Sequence, residues 1–204
     1  MLSPLEVGVV AAAACSTMGL VLLHRQVSAY GERVLHAPAA GDPAAGVHYA
    51  FTGAMNPGAK ESVREHLPSY LAGLAFHAGI FMALGLLVAS LCGASLPATL
   101  RWLCRVPLIV GTMGGTGLLL KRLLRSELRG LSHPDDFLSN LLATAFVTLA
   151  LIGGTAWLLS ATLLLVYAPL GKIRHCLFFF LARRNLGAFF GRRGVFPPGN
   201  AHVR

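Results

Sequence analysis

The sequence predicts an all-α integral membrane protein, a bundle of five transmembrane helices with its N-terminus outside and its C-terminus in the cytoplasm. Three observations predict this fold class. Of the 204 residues 55% are hydrophobic, and the mean hydropathy is +0.65. Only 12% are charged, against about 25% in an average soluble domain. The apolar residues form long runs with basic residues at their ends, which is typical of membrane-spanning helices.

The first three apolar runs each predict one crossing. A run from Val7 to Leu23 predicts a helix at about 5–24, and the MLSPLE before it lacks the basic residues that open a cleaved signal peptide. We therefore expect this first helix to be retained. The uncharged run 67–93 predicts the second helix. The run 106–120, extended towards its N-terminus, predicts the third at about 100–121.

The fourth run is too long for a single crossing. Residues 137–168 are 32 residues without a formal charge. One helix of that length would measure about 48 Å, well beyond a hydrocarbon core of about 30 Å. Gly153-Gly154 in the middle indicates a turn. The flanks on both sides are basic, and basic flanks favour the cytoplasmic side. The sequence therefore predicts a short hairpin of two helices, at about 136–152 and 155–172.

The connecting segments follow from this topology. We predict one membrane domain over 1–204, with a cytoplasmic loop at 25–66 and a basic interfacial tail at 173–204. The loop either packs on a cytoplasmic partner or is partly ordered. Phenylalanines and arginine pairs in the tail predict contacts with anionic lipids. The formal charge of +9 is explained by orientation in the membrane, so we expect no nucleic-acid partner. The expected location is the inner (cytoplasmic) membrane, as a multi-pass protein.

Two of the eight histidines lie where their chemistry is informative. His77 lies about ten residues, or roughly 15 Å, inside the second predicted helix, where an unsatisfied polar group costs several kcal/mol. His175 follows the end of the fifth predicted helix. Two neutral imidazoles from different helices can ligate a haem iron. The alternatives are a helix–helix hydrogen bond for His77 and an interfacial position for His175.

Other residues bear on the same possibility. Arg105, Lys172 and Arg174 are candidate contacts for anionic haem propionates. Small residues near His77 would let a flat macrocycle approach: Ala72, Gly73, Ala75, Ala78 and Gly79. The four cysteines have no spacing typical of a zinc or Fe–S site, and we interpret them as small buried hydrophobic residues. Any Fe–S cluster would then belong to a partner.

Three stretches in order resemble a known family. They are SYLAGLAFHAGIF at 69–81, LLLKRLLRSELRGLSHPDDFLSNLL at 118–142 and PLGKIRH at 169–175. Together with their surroundings they cover about half of the chain, and they resemble the gamma-subunit family of respiratory nitrate reductases. Members of that family are five-helix b-type cytochrome subunits that exchange electrons with quinol. The resemblance implies a haem b near the cytoplasmic face, with His77 and His175 as the axial ligands of its iron.

The sequence departs from that family at the second haem. The positions that would carry its two ligands fall near Leu87 and Trp157, and neither is a histidine. The connection between the fourth and fifth helices, long in the family, is almost absent here. The resemblance therefore implies a single-haem variant. We expect one haem b, and the outer half of an electron relay would have to come from elsewhere.

The leading hypothesis is a haem b-containing membrane subunit of a respiratory quinone- or quinol-linked oxidoreductase complex. It would pass electrons between the quinone pool and a cytoplasmic Fe–S or flavin subunit, without being a complete enzyme. The residues of a quinone site are not assigned. The alternative is a cofactor-free structural membrane anchor of a respiratory complex. A channel or transporter fits poorly, because the third to fifth helices lack the intramembrane acids that usually line an ion path.

Overall fold

The computed structural model describes residues 2–31, 36–59 and 61–198. Within these ranges the chain forms helices and turns and no strand, which confirms the all-α class. Residues 32–35 and 60 of the predicted loop, and residues 199–204 of the predicted tail, lie outside the described residues.

The described helices are numbered in chain order. They are α1 Pro4–Ser28, α2 Pro43–Phe51, α3 Glu61–Glu65, α4 Leu67–Leu91, α5 Ala98–Leu124, α6 Ser126–Gly130, α7 Pro134–Ala150, α8 Gly154–Tyr167 and α9 His175–Arg192. Short 3₁₀ turns occupy Gly53–Met55, Pro57–Ala59 and Lys172–Arg174.

Among the described helices, α1, α4 and α5 are long and apolar enough to cross a membrane. A fourth span is counted if α8 and the segment Lys172–Arg192 are taken together as one broken span. These helices indicate a membrane-associated, multi-pass protein. Five crossings, their orientation and the hairpin of the last two stay predictions.

The chain divides into two compact units, which are described separately. The first comprises Met1–Val21 and Leu67–Ile173, and the second comprises Leu22–His66 and Arg174–Arg204. The prediction of one membrane domain over 1–204 stays a prediction.

The first unit is built on close packing between α4 and α5. Gly79 of α4 faces Gly111 of α5, and a Cβ on Gly79 would lie 2.8 Å from the Gly111 Cα. A Cβ on Gly114 would lie 2.6 Å from the carbonyl oxygen of Ala72, so the two helices run antiparallel. Glycines at a helix contact let two backbones approach closely, which is how apolar helices gain packing energy in lipid.

The remaining core of the first unit joins α1, α7 and α8 to this pair. Val9 of α1, Leu108 of α5, and Phe146 and Val147 of α7 are almost completely buried in one cluster. The Phe146 ring stacks on Trp157 of α8 at 6.4 Å between centroids. Burying such side chains contributes about 1.5–3 kcal/mol each.

The uncharged run 137–168 is broken where its glycines lie. α7 ends at Ala150 and α8 begins at Gly154, with φ of 75° at Gly153 and 72° at Gly154. Only glycine adopts such angles readily. α8 ends at Tyr167, earlier than the predicted 172, because Pro169 lacks the N–H that a continuing helix would need.

The second unit contains a helix where a loop was predicted. Asp42 caps α2 by accepting hydrogen bonds from the amides of Ala44 (2.8 Å) and Ala45 (3.2 Å), and Pro43 follows at the first helical position. α2 packs against α9 through glycines, and a Cβ on Gly191 would lie 2.8 Å from the Gly46 Cα. Part of the segment 25–66 therefore packs against the C-terminal tail of its own chain.

Candidate functional site

His77 lies on a face of α4 that does not pack against α5. Its side chain is exposed within the chain, and its ring lies beside Phe76 and Phe81, at 6.4 Å and 6.3 Å between centroids. The Nδ1 atom lies 2.8 Å from the carbonyl oxygen of Gly73, one turn earlier. A carbonyl only accepts, so Nδ1 is the donor in this hydrogen bond.

The small residues around His77 divide between two faces of α4. Ala72, Ala75 and Gly79 face Gly111 and Gly114 of α5 and are used in helix packing. Gly73 lies on the other face, and a Cβ added there would meet nothing within 4 Å. Open space beside His77 is therefore found at Gly73 and at the exposed Ala78, whereas the sequence alone suggested it at all five small positions.

His175 is the first residue of α9 and is exposed. It belongs to the second unit, whereas His77 belongs to the first. Their pairing as axial ligands stays a prediction. Among the described residues no group of three or more His, Cys, Asp or Glu side chains is arranged to hold a metal ion. A bis-histidine haem requires only two such ligands.

Lys172 takes part in a charge cluster that the sequence reasoning missed. Its Nζ lies 2.7 Å from Oδ1 of Asp136, and Nη1 of Arg122 lies 3.0 Å from the same oxygen. Asp136 also accepts a hydrogen bond from the amide of His133 at 2.9 Å, which completes a capping box at the start of α7. The signal was in the sequence, where two acids follow a basic segment and precede an uncharged run.

A second acid in the same cluster reaches α8. Asp135 accepts hydrogen bonds from the hydroxyls of Tyr167 and Ser139, the latter at 2.9 Å. The bond from Tyr167 is the main reason that the pKa of the Asp135 carboxyl, just before the predicted crossing 136–152, is below its usual value. The start of α7 and the end of α8 therefore lie together.

The other two candidate propionate contacts lie apart from this cluster. Arg174 precedes α9 in the second unit and is exposed. Arg105, in α5, lines a cavity together with Leu86 and Ser90 of α4. Leu86 is nine residues beyond His77, or about 14 Å along the helix. The structure thus places Arg105 at a different level of the first unit from His77.

Around Arg105 lies a cavity of about 310 Å³ in the first unit. It is lined by residues from the end of α4, the start of α5 and the α7–α8 turn, among them Ser90, Ser95, Arg101 and Trp157. Trp157 is 8% exposed. Among the described residues, its Nε1 is the single buried polar side-chain atom that has no hydrogen-bond partner. This is a polar feature that the sequence reasoning did not identify.

The four cysteines all fall within the described residues and form no disulfide. Cys104 is buried, as expected, whereas the other three are exposed: Cys15, Cys92 and Cys176. The prediction of buried cysteines is therefore wrong for those three. In helices that face lipid, an exposed position still suits a small apolar side chain.

Comparison of the chain with models of protein families, with curated proteins and with solved structures found no match. The resemblance to the gamma-subunit family therefore rests on the three sequence stretches alone.

Proposed function

We propose that this chain is a haem b-containing membrane subunit of a respiratory quinone- or quinol-linked oxidoreductase complex. It would pass electrons between the quinone pool and an Fe–S or flavin subunit on the cytoplasmic side, in the inner (cytoplasmic) membrane. The haem, when bound, supplies a one-electron Fe(III)/Fe(II) couple. His77 and His175 are the proposed axial ligands, and the chain is not a complete enzyme.

The observation that carries this proposal is the state of His77. An imidazole on an otherwise uncharged helix is held by the Gly73 carbonyl through Nδ1, at 2.8 Å. That bond fixes the ring orientation and makes Nε2 the nitrogen able to coordinate iron. A hydrogen bond of this kind, from the second ring nitrogen to a backbone carbonyl, is the usual outer-shell partner of a metal-ligating histidine. Gly73 itself leaves room on that face of α4.

The candidate contacts for the haem propionates are assigned by their position relative to the two histidines. Lys172 and Arg174 lie three residues and one residue before His175 in the sequence, and they are the proposed propionate contacts. An ammonium has three donors, so the same lysine can serve Asp136 and a propionate. Arg105 lines a cavity together with Leu86, which favours a role in that cavity instead.

The proposed topology retains five crossings with a C-terminal hairpin. Its support is the contact between the two flanks of the run 137–168: Tyr167 meets Asp135, and Lys172 meets Asp136. A segment whose two ends meet must leave and return to the same end of the first unit. Both basic flanks then lie on one side, as the charge rule requires.

The deciding experiment is a dithionite-reduced minus oxidised spectrum of the purified full chain, with pyridine haemochrome quantification. We expect an α-band of haem b at about one haem per chain. His77→Ala and His175→Ala should each remove that absorbance, because a single remaining imidazole leaves the iron without one axial ligand. His66→Ala is the matched control, since this exposed histidine just before α4 has no proposed role.

The outcomes separate the hypotheses. Full haem absorbance in either alanine variant would rule out the proposed ligand pair. Two haems per chain would contradict the single-haem assignment. A folded, colourless wild-type chain would favour a cofactor-free structural anchor. That second function has its own support in the second unit, where α9 packs on α2. Arg184 and Arg192 of α9, with Arg193 just after it, are exposed and could dock on an acidic surface or on anionic lipids.

A further inference from the structure

The cavity of about 310 Å³ in the first unit has no part in the proposed haem chemistry. It lies where α4 ends and α5 begins, beside the α7–α8 turn. Its wall is apolar over Leu86 and Leu108 and polar over Ser90, Ser95, Arg101, Arg105 and Trp157. Because α4 and α5 are long enough to cross a membrane, their ends lie at the level of lipid headgroups.

Two positive charges line this cavity without a counter-charge. Arg101 and Arg105 are one helical turn apart, and like charges at that spacing repel. No acidic residue occurs between Glu65 and Glu127 in the sequence. Within the described part of the chain, no carboxylate lies within ion-pair distance of either guanidinium. Glu6, in α1, instead accepts a hydrogen bond from the Ser3 amide at 2.7 Å.

The arginines also lie next to apolar surface. The Arg105 guanidinium lies 4.4 Å from the centroid of the Trp102 ring, and that side chain is 66% exposed. Leu103 beside it is 63% exposed, as expected for a surface that faces lipid. Charges at such a border need a partner, because hydrocarbon does not solvate them.

Trp157 is a second, independent indication of a ligand. The residue lines the cavity, is 8% exposed, and its Nε1 donates to no acceptor among residues 2–31, 36–59 and 61–198. An indole nitrogen is a donor only, so the missing partner must be an acceptor. A buried donor without an acceptor costs about 1–3 kcal/mol. Two guanidinium groups and one indole N–H thus call for a group rich in acceptor oxygens and negative in charge.

We propose that the cavity binds the phosphate of an anionic phospholipid. Arg101 and Arg105 would pair with the phosphate, and an ester or glycerol oxygen would accept from Trp157. A neutral quinone would offer two acceptors but no charge to offset the arginines. The apolar part of the wall and the exposed Trp102 and Leu103 favour a lipid over free phosphate. This site is independent of the haem proposal.

The chain carries its own probe for this site. It has two tryptophans, and Trp102→Phe leaves Trp157 in the cavity wall as the sole fluorophore. The full chain carrying that substitution is reconstituted in phosphatidylcholine vesicles containing acyl-brominated phosphatidylglycerol or acyl-brominated phosphatidylcholine. Because Trp157 is 92% buried, bulk lipid quenches it weakly. We expect brominated phosphatidylglycerol to quench Trp157 at a mole fraction about tenfold lower than brominated phosphatidylcholine needs. A tenfold preference is what one net charge-assisted hydrogen bond provides.

Charge variants test the arginines directly. Arg101→Gln with Arg105→Gln should abolish the preference. Arg125→Gln with Arg129→Gln, the same charge change just beyond the other end of α5, should keep it. Circular dichroism confirms folding, and Arg101→Gln alone serves if the double variant does not fold. Equal quenching by both lipids would overturn the proposal, as would loss of the preference in the control variant. A change in Trp157 emission on adding inorganic phosphate to pure phosphatidylcholine vesicles, with no preference for phosphatidylglycerol, would identify free phosphate as the ligand and overturn the lipid assignment.

Discussion

The α4–α5 pair and the α2–α9 pair use the same contact in two different ways. Both are held at glycines: Gly79 meets Gly111 in the first pair, and Gly46 meets Gly187 and Gly191 in the second. In both, backbone approaches backbone so closely that a Cβ has no room. The helices that make these contacts, however, differ in length and polarity.

α4 and α5 have 25 and 27 residues and are apolar enough to span a membrane. In lipid such helices form without a partner, because each satisfies its own backbone hydrogen bonds. α2 has nine residues, which is below the roughly 12–15 at which an isolated helix becomes marginally stable in water. The glycine contact therefore adjusts the packing of α4 and α5, whereas α2 depends on α9 for its existence.

Gly46→Ala should have the largest effect of the substitutions that test this difference. The added Cβ would come closer to the Gly187 carbonyl oxygen than atoms can approach, and backbone cannot rotate aside. We expect α2 to separate from α9 and lose about 3 kcal/mol or more of local stability. Hydrogen exchange of the amides of α2, followed by mass spectrometry, should accelerate at least about a hundredfold.

Gly58→Ala is the control for this substitution. It lies in the same segment, and its nearest neighbour would be 3.4 Å from the added Cβ, an ordinary contact. Exchange in α2 should stay at the wild-type rate. If Gly46→Ala left α2 equally protected, the helix would not depend on its contact with α9.

Gly79→Ala should reduce stability by less than Gly46→Ala does, and it should weaken the packing of two helices without unfolding either of them. The added Cβ would meet the Gly111 Cα at 2.8 Å, the Pro107 carbonyl oxygen at 3.0 Å and the Val147 Cγ1 at 3.1 Å. We expect a loss of about 1–3 kcal/mol, read as a lower midpoint of thermal unfolding, with the helix content by circular dichroism unchanged. Both helices should survive because neither needs the other to form.

Gly85→Ala provides the matched change on the same helix. A Cβ there meets nothing within 4 Å, so the midpoint should be unchanged or slightly raised, as alanine favours helix over glycine. An equal loss at both positions would show that the close approach of α4 to α5 contributes nothing specific.

The same contrast explains what the sequence could predict. Long apolar runs predict α1, α4 and α5, since hydrophobicity alone makes those helices, and Gly153-Gly154 predicts the break between α7 and α8. α2 was missed because Pro43–Phe51 has only nine residues, which is no longer than a segment of an ordinary turn-rich loop. Two signals were present: Asp42-Pro43 is typical of a helix start, and Gly187 and Gly191 are four residues apart, a spacing typical of close helix contacts.

The sequence predicted less of the candidate site than of the helices. A histidine in an uncharged helix identified His77, and the structure adds the Gly73 hydrogen bond that selects its tautomer. The pairing of Lys172 with Asp136 was missed because its partners are 36 residues apart in sequence, and spacing patterns reach only local neighbours. The acceptor missing at Trp157 was invisible for the same reason, since burial is set by packing between helices.

Two adjacent arginines in α9 allow the finest test of the second pair. Arg183 donates from Nη1 to the carbonyl oxygen of Ala50, near the C-terminal end of α2, at 2.9 Å, and its guanidinium lies 5.5 Å from the Phe179 ring centroid. Arg184 is exposed. Both carry the same charge in the same helix. Only Arg183 can offset the partial negative charge at the end of α2.

Arg183→Gln should therefore accelerate hydrogen exchange in α2 by roughly fivefold to tenfold, the effect of losing a net hydrogen bond of about 1–1.4 kcal/mol. Arg184→Gln should leave exchange within about twofold of wild type, because exposed substitutions usually change stability by less than about 0.5 kcal/mol. Equal acceleration by both would mean that the charge of α9, and not its contact with Ala50, stabilises α2. Acceleration by neither would mean that the hydrogen bond from Arg183 to Ala50 contributes nothing measurable to the stability of α2.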